Sequence, residues 1–236
     1  MFERASAPKR IVFHRFSRKG QRALRPAARV CNALLPVTGA ALFAWGCGAA
    51  LALRTPLEEA LPGPVTLLAG FLAFDMLHEC GHMTANCACG CPVEEIGLLL
   101  EPDMAFYVRN DSGPIVSARG RRQYLQICLA GIETDLAAIG VLLWSCARTG
   151  SRTCAFFALF NMISVVHNAL PVSGRDGEKA LSALLHVEDV DALAQAVLAS
   201  PARRRALRLL WAIRLARGID LVVQGIGMVG IRILLL

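Results

Sequence analysis

The 236-residue chain is long enough for one or two domains, and 55% of its residues are hydrophobic, with a mean hydropathy of +0.49. This apolar content exceeds what the core of a soluble protein of this size needs, so it favours a membrane protein. The formal net charge of +7 comes without an aromatic-rich basic surface, and nucleic-acid binding is therefore not expected.

A basic arm over residues 1–30 precedes the first apolar segment. That segment, residues 31–53, contains no charged side chain and is long enough for a helix to cross about 30 Å of hydrocarbon. The basic region is longer than the charged region of a secretory signal peptide, which indicates a retained signal anchor. The arm can also lie on anionic lipid headgroups.

Further apolar segments follow along the chain, at residues 62–85, 123–147, 153–171 and 209–236. The sequence therefore predicts an all-α polytopic membrane helical bundle of four or five spans. The last segment also contains charged residues, so an interfacial helix is the alternative there. We treat residues 31–236 as one membrane domain, with short amphipathic helices expected within residues 178–200.

The distribution of basic residues predicts the orientation in the membrane. Nine of the 25 Lys and Arg residues lie within residues 1–30, and ten more lie in the segments 109–122 and 172–208. The segments that connect the spans on the other side carry few. By the positive-inside rule, the N-terminus and the second and fourth of these connecting regions face the cytoplasm.

The connection between the second and third spans is too polar to cross a membrane. Val93–Leu100 and Ala105–Arg109 are rich in β-branched and aromatic residues, and Glu101-Pro102-Asp103 separates them. This pattern predicts a small β-hairpin at the cytoplasmic face of the bundle.

The second span contains the segment HECGH at residues 78–82. His78 and His82 are four residues apart, so on a helix both imidazoles project from one face and can bind one zinc ion. Glu79 lies beside them, where a carboxylate can act as a general base towards zinc-bound water. Together with Asp75 these ionisable groups are costly in lipid, which indicates a function rather than a chance match.

Tetrahedral zinc with one bound water needs a third protein ligand. The segment Asn168-Ala-Leu-Pro171-Val-Ser-Gly-Arg-Asp176-Gly177 closes the fourth span on the same side, and its proline and glycines would turn a carboxylate towards the second span. From the residues alone the candidates for this ligand are Asp75, Glu94, Glu133, Asp135, His167 and Asp176.

The two motifs together resemble the site-2 protease family of intramembrane metalloproteases, in its bacterial peptide zinc metalloprotease branch. The resemblance covers about residues 62–180 and includes Gly81 before the second histidine. It implies that His78, His82 and Asp176 bind zinc and that Glu79 is the catalytic acid and base. It also implies a bacterial cytoplasmic membrane, and the distribution of basic residues predicts that the active site lies towards the cytoplasm.

The resemblance further implies that Asn168 contacts the substrate backbone or the oxyanion, although the residue could equally be a cap or turn residue. One segment departs from the family pattern, because many relatives carry Ala-Gly-Pro-x-x-Asn where residues 130–135 read AGIETD. Glu133 and Asp135 would then contact substrate or a proton path, or they would neutralise basic residues at the membrane face.

The expected activity is hydrolysis of a peptide bond in a membrane-associated protein or peptide. The substrate has to present an extended backbone, and the edge of the hairpin at residues 93–109 could hold it by strand pairing. The alternative function is a non-proteolytic zinc-binding membrane component of a peptide export or immunity system. The cysteines after the zinc helix are either an inert turn or a redox-sensitive cluster: Cys87, Cys89 and Cys91.

Overall fold

The computed structural model describes residues 10–52, 62–100, 105–110, 120–171 and 175–185, together with the single residue 215. These residues are mostly helical, with one small antiparallel sheet, as the sequence predicts. The elements in chain order are β1 (Arg10–Arg15), α1 (Arg18–Leu51), α2 (Pro64–Cys89), β2 (Val93–Leu99), β3 (Ala105–Asn110), α3 (Arg121–Thr149), α4 (Arg152–Ala169) and α5 (Asp176–Leu185).

Helix α3 is the central helix and packs against α1, α2, α4 and α5. Glycines allow the backbones of α1 and α3 to approach closely, since a Cβ at Gly46 would lie 2.8 Å from the Cα of Gly140. Small residues at such contacts are typical of helix packing in membranes. Further along the same interface the rings of Trp45 and Trp144 lie 5.4 Å apart.

Aromatic side chains join α2 to α4. The ring of Phe71 lies 4.3 Å from that of Phe160, and the ring of Phe74 lies 5.5 Å from that of Phe157. Helix α2 begins with a proline in its first turn and ends at Gly90, which has a φ of 80°. Both features are common helix boundaries, because proline needs no amide donor there and glycine tolerates the left-handed conformation.

The predicted hairpin is confirmed as strands β2 and β3, and β1 extends it to a three-stranded antiparallel sheet in the order β1-β2-β3. The sequence predicts no strand within residues 1–30, so β1 was missed. Strand β1 forms ion pairs with a residue that is distant in sequence, because the buried Glu95 carboxylate lies 2.9 Å from Arg10 and 3.5 Å from Arg15. The sheet thus ties the start of the chain to the hairpin.

Among the described residues, α1 and α3 are the two helices that are both long and apolar enough to cross a membrane. The prediction of four or five spans is therefore only partly supported. Helix α2 carries Asp75, His78 and Glu79, and these polar side chains reduce its hydropathy. The proposed fifth span at residues 209–236 lies outside the described part of the chain, apart from residue 215.

Candidate metal centre

The imidazole rings of His78 and His82 project from one face of α2 towards a common point. His78 is buried, with 8% of its surface exposed, and its Nε2 atom lies 3.1 Å from the Nε2 atom of His82. The spacing of four residues brings the side chains onto one helical face, as the sequence predicts.

The other ring nitrogen of each histidine is held by α3. Nδ1 of His78 lies 2.7 Å from Oδ2 of Asp135, and Nδ1 of His82 lies 2.7 Å from the carbonyl oxygen of Ile127. A carbonyl oxygen only accepts hydrogen bonds, and an ionised carboxylate does the same, so both Nδ1 atoms carry the proton and donate. In neutral rings this leaves both Nε2 lone pairs free and directed at each other, the arrangement seen in histidine metal ligands.

Asp176, at the start of α5, supplies a third ligand atom, an oxygen, to this point. Its Oδ2 atom lies 3.1 Å from Nε2 of His78 and 3.0 Å from Nε2 of His82. Helix α5 can approach because Gly177 has no side chain; a Cβ there would lie 2.5 Å from the carbonyl carbon of Ala169. The fold therefore brings together the residues from the two motifs, which are separated by almost a hundred positions.

The second carboxylate oxygen of Asp176 accepts a hydrogen bond from Nζ of Lys179 at 3.2 Å. Burial opposes ionisation of Asp176, whereas the nearby Lys179 ammonium lowers the pKa of Asp176 and so favours the charged carboxylate. Burial also opposes charge on Lys179, whereas the Asp176 carboxylate raises the pKa of Lys179 above its usual value. Asp176 is thus a negatively charged oxygen ligand with only one oxygen directed at the histidines.

Three donor atoms separated by 3.0–3.1 Å need a proton or a metal cation between them, because their lone pairs otherwise repel one another. Ligands of a tetrahedral zinc ion are separated by about 3.3 Å, given the usual bond lengths to nitrogen and oxygen. Gly131 of α3 leaves space beside them, since a Cβ there would lie 2.5 Å from Nε2 of His78 and 2.6 Å from Nε2 of His82. The spacing and chemistry of these donors fit zinc.

Glu79 belongs to the same group of potential ligands. One ligand atom each from His78, Glu79 and His82 lie within 4.8 Å of one another, so this trio could hold a metal ion. Oδ2 of Asp176 lies 3.0–3.1 Å from Nε2 of both histidines. Either carboxylate could therefore complete a metal site with the two histidines.

A cavity of about 430 Å³ opens next to these residues. Glu79, His82 and Asp176 line one side of it, and Phe106 and Val108 of strand β3 line another. Its volume is within the usual range of small-ligand sites. Because β3 is at the edge of the described sheet, this cavity connects an open strand edge with the candidate metal centre.

Asp75 ties that edge strand to the metal-binding helix. Its Oδ2 atom accepts a hydrogen bond from the backbone N–H of Phe106 at 2.5 Å. This N–H points away from β2, and the N–H of Val108, two residues further, points the same way in a regular strand. Asp75 therefore satisfies one edge donor of β3.

Asn168 lines a second cavity of about 300 Å³, together with Asp75, His78 and Asp135. The structure thus places Asn168 near the metal centre, although it does not bring this side chain into the cavity next to Glu79. The predicted role of Asn168 towards a substrate stays a prediction.

The structure does not bring the remaining candidates for the third ligand, Glu94, His167 and Glu133, into contact with the two histidines among the contacts of the described residues. Glu94 is exposed and lies 2.9 Å from Arg109. His167 is in the last turn of α4, and Glu133 is half-buried on α3. Sequence reasoning did not predict two contacts, that of Asp135 with His78 and that of Asp75 with strand β3. A carboxylate within an apolar helix is costly, and this cost was the one indication in the sequence that both side chains have a specific partner.

Comparisons of the chain with family models, curated proteins and solved structures gave no match.

Proposed function

We propose that this protein is an intramembrane zinc metalloprotease related to the site-2 protease family. The observation that carries the proposal is the convergence of Nε2 of His78, Nε2 of His82 and Oδ2 of Asp176 at 3.0–3.1 Å. The Nδ1 protons of the two histidines are donated to Asp135 and to the Ile127 carbonyl, which leaves Nε2 for the metal. The Glu79 carboxylate lies next to the metal position. These are the ligand and base types that zinc peptidases use.

Placement in a membrane is supported by the exposed face of α1. Large apolar side chains point outwards there, with 55% of Leu34, 70% of Val37 and 57% of Trp45 exposed. In water such a face would be an unusually large apolar patch, whereas in lipid it carries no cost. We infer four spans from α1 to α4, with the site at the end where α2 finishes and α3 begins.

Each residue of the site has a distinct task in this proposal. His78, His82 and Asp176 hold the ion, and Asp135 and Ile127 fix the two imidazole rings. Zinc bound there would lower the pKa of a coordinated water and polarise the scissile carbonyl. Glu79 takes up the proton released by the water and returns it to the leaving amine.

The substrate segment is proposed to pair with the edge of β3. The cavity between β3 and Glu79 has room for an extended backbone, and main-chain hydrogen bonds give affinity with little dependence on side chains. Since Asp75 already binds the N–H of Phe106, we expect the pairing to begin at Val108. The substrate class is a membrane-associated protein or peptide.

The activity is tested with the purified protein and a library of single-span peptides in detergent micelles, with products identified by mass spectrometry and zinc measured in the same sample. Glu79→Gln should retain zinc and lose cleavage, because the amide cannot accept the proton. Glu94→Gln is the matched control, because its carboxylate is exposed and pairs with Arg109.

Cleavage that persists at the same rate in Glu79→Gln would refute the assigned base. If the wild-type protein binds one zinc ion and cuts no peptide, the non-proteolytic component of an export or immunity system becomes the better explanation. If it binds no zinc, both interpretations fail.

A further inference from the structure

A third cavity, of about 310 Å³, lies where the start of α1 meets the end of α2, and none of the candidate metal ligands lines it. Three arginines and a glutamine of α1 contribute to its lining, together with the cysteine turn that follows α2. The arginines are Arg18, Arg22 and Arg25. No Asp or Glu is among the described residues that line it.

The walls of this cavity are joined by hydrogen bonds from α1 to the last turn of α2 and to the start of β2. The Gln21 side chain both donates to the carbonyl of Val93, at 2.7 Å, and accepts from its N–H, at 2.8 Å. Arg25 donates to the carbonyl of Cys89 at 3.2 Å, and Cys87 contacts the carbonyl of Gln21 at 3.5 Å. The arginine side of the cavity is therefore held against a rigid backbone.

Only some of the arginines around the cavity form hydrogen bonds within the fold. Arg25 and Arg29 bind carbonyls in the last turn of α2, where cations are favourable. Nε of Arg25 is nevertheless buried and has no hydrogen-bond partner among the described residues. Neither Arg18 nor Arg22 is within ion-pair distance of a carboxylate in the described part of the chain. Unpaired guanidinium groups in one cavity favour an anion with several oxygens, such as a phosphate.

The length of α1 indicates where that phosphate comes from. With 34 residues, α1 is about 51 Å long, whereas the hydrocarbon core of a bilayer is about 30 Å thick. The uncharged segment begins at residue 31, so the turns before it extend into the headgroup layer. The cavity lies at that level, on the side with most of the basic residues.

We propose that this cavity binds the phosphate of an anionic phospholipid headgroup. The proposal rests on the proposed membrane placement, although not on zinc or on cleavage. Binding there would fix the end of α2, and with it the metal-binding helix, at a defined depth in the membrane.

The test measures binding of short-chain phosphatidylglycerol, phosphatidylcholine and inorganic phosphate to the purified protein in a zwitterionic detergent. We expect phosphatidylglycerol to bind more tightly than either of the others. Arg22→Gln should weaken its binding about tenfold, the size expected for losing a charged hydrogen bond. Arg18→Gln should act in the same direction.

Lys19→Gln is the matched control, because it removes a charge from the same turn of α1 and Lys19 is not among the described residues that line the cavity. It should weaken binding by no more than about twofold, as for a screened surface charge. Equal losses in Arg22→Gln and Lys19→Gln would overturn the site in favour of diffuse attraction. So would equal binding of both lipids, while tight binding of inorganic phosphate would indicate a soluble anion instead. The same measurement on Glu79→Gln separates this outcome from failure of the protease proposal.

Discussion

The two histidines of the centre are oriented by different groups, one charged and one neutral. Asp135 accepts the Nδ1 proton of His78, while the backbone carbonyl of Ile127 accepts that of His82. A carboxylate partner raises the basicity of an imidazole ligand and fixes its ring. The side chain that can be changed without disturbing the backbone is therefore Asp135.

Asp135→Asn should weaken zinc binding by about 10- to 100-fold, because the amide replaces a charged acceptor of the His78 proton with a neutral one. Competition with a chelator of known affinity measures this change. Glu133→Gln, two residues away on α3, should leave the affinity unchanged. Equal affinity in wild type and Asp135→Asn would show that the carboxylate does not support the ligand.

Gly131 offers a steric test of the same centre. Alanine is normally more favourable than glycine inside a helix by about 0.5–1 kcal/mol, but here its Cβ would meet Nε2 of both histidines at 2.5 and 2.6 Å. Gly131→Ala should therefore lower zinc affinity at least about tenfold, measured by the same chelator competition. Gly48→Ala is the control, as nothing lies within 4 Å of that Cβ. Full zinc affinity in Gly131→Ala would place the ion elsewhere.

Local spacing was enough to predict the pair His78 and His82, because a helix puts residues four apart on one face. It was not enough to assign Asp135, whose contact depends on the rotation of α3 about its axis. The sequence left several interpretations open for this residue: a third zinc ligand, a contact with substrate or a proton path, or charge neutralisation. The hydrogen bond to His78 is a further one, and it depends on the packing of one helix on another.

At the level of the elements, the Asp75 carboxylate connects the edge strand β3 to helix α2, which also packs against that strand. The hairpin was predicted from β-branched and aromatic residues, whereas β1 was not, because its register and its ion pairs with Glu95 involve residues far along the chain. Nor does the sequence indicate that Asp75 reaches Phe106. That bond adds to the packing of β3 against the helix that carries the candidate metal centre.

Asp75→Ala should release the N–H of Phe106 and increase its hydrogen-exchange rate about tenfold, because the bond to a charged acceptor is lost. Exchange of a peptide covering residues 105–110 measures this effect by mass spectrometry. Asp75→Asn retains an acceptor oxygen and should show a smaller increase. Unchanged exchange in Asp75→Ala would contradict the anchoring role, and loss of zinc would place Asp75 among the ligands.

At the level of the whole molecule, the described elements of the site lie in the part of the bundle towards the end of α2. The second half of α2, the first half of α3 as far as its midpoint at Asp135, and the start of α5 supply the candidate ligands and their partners. The sheet and the arginine-lined cavity lie at this end as well. The sequence predicts the same grouping from its basic segments, because the positive-inside rule places them all on one face.

The proposed membrane placement predicts a definite topology, which fusions of alkaline phosphatase in a bacterial host can test. The enzyme is active only outside the cytoplasm, so fusions after Ala52 and after Gly150 should be active, and a fusion after Gly120 should be inactive. The basis is that four arginines lie within residues 109–122, against Arg148 and Arg152 at the opposite end of α3. If the fusions after Ala52 and after Gly120 are both active, then α2 does not cross the membrane. The fully reversed pattern would place the candidate metal centre on the outer face.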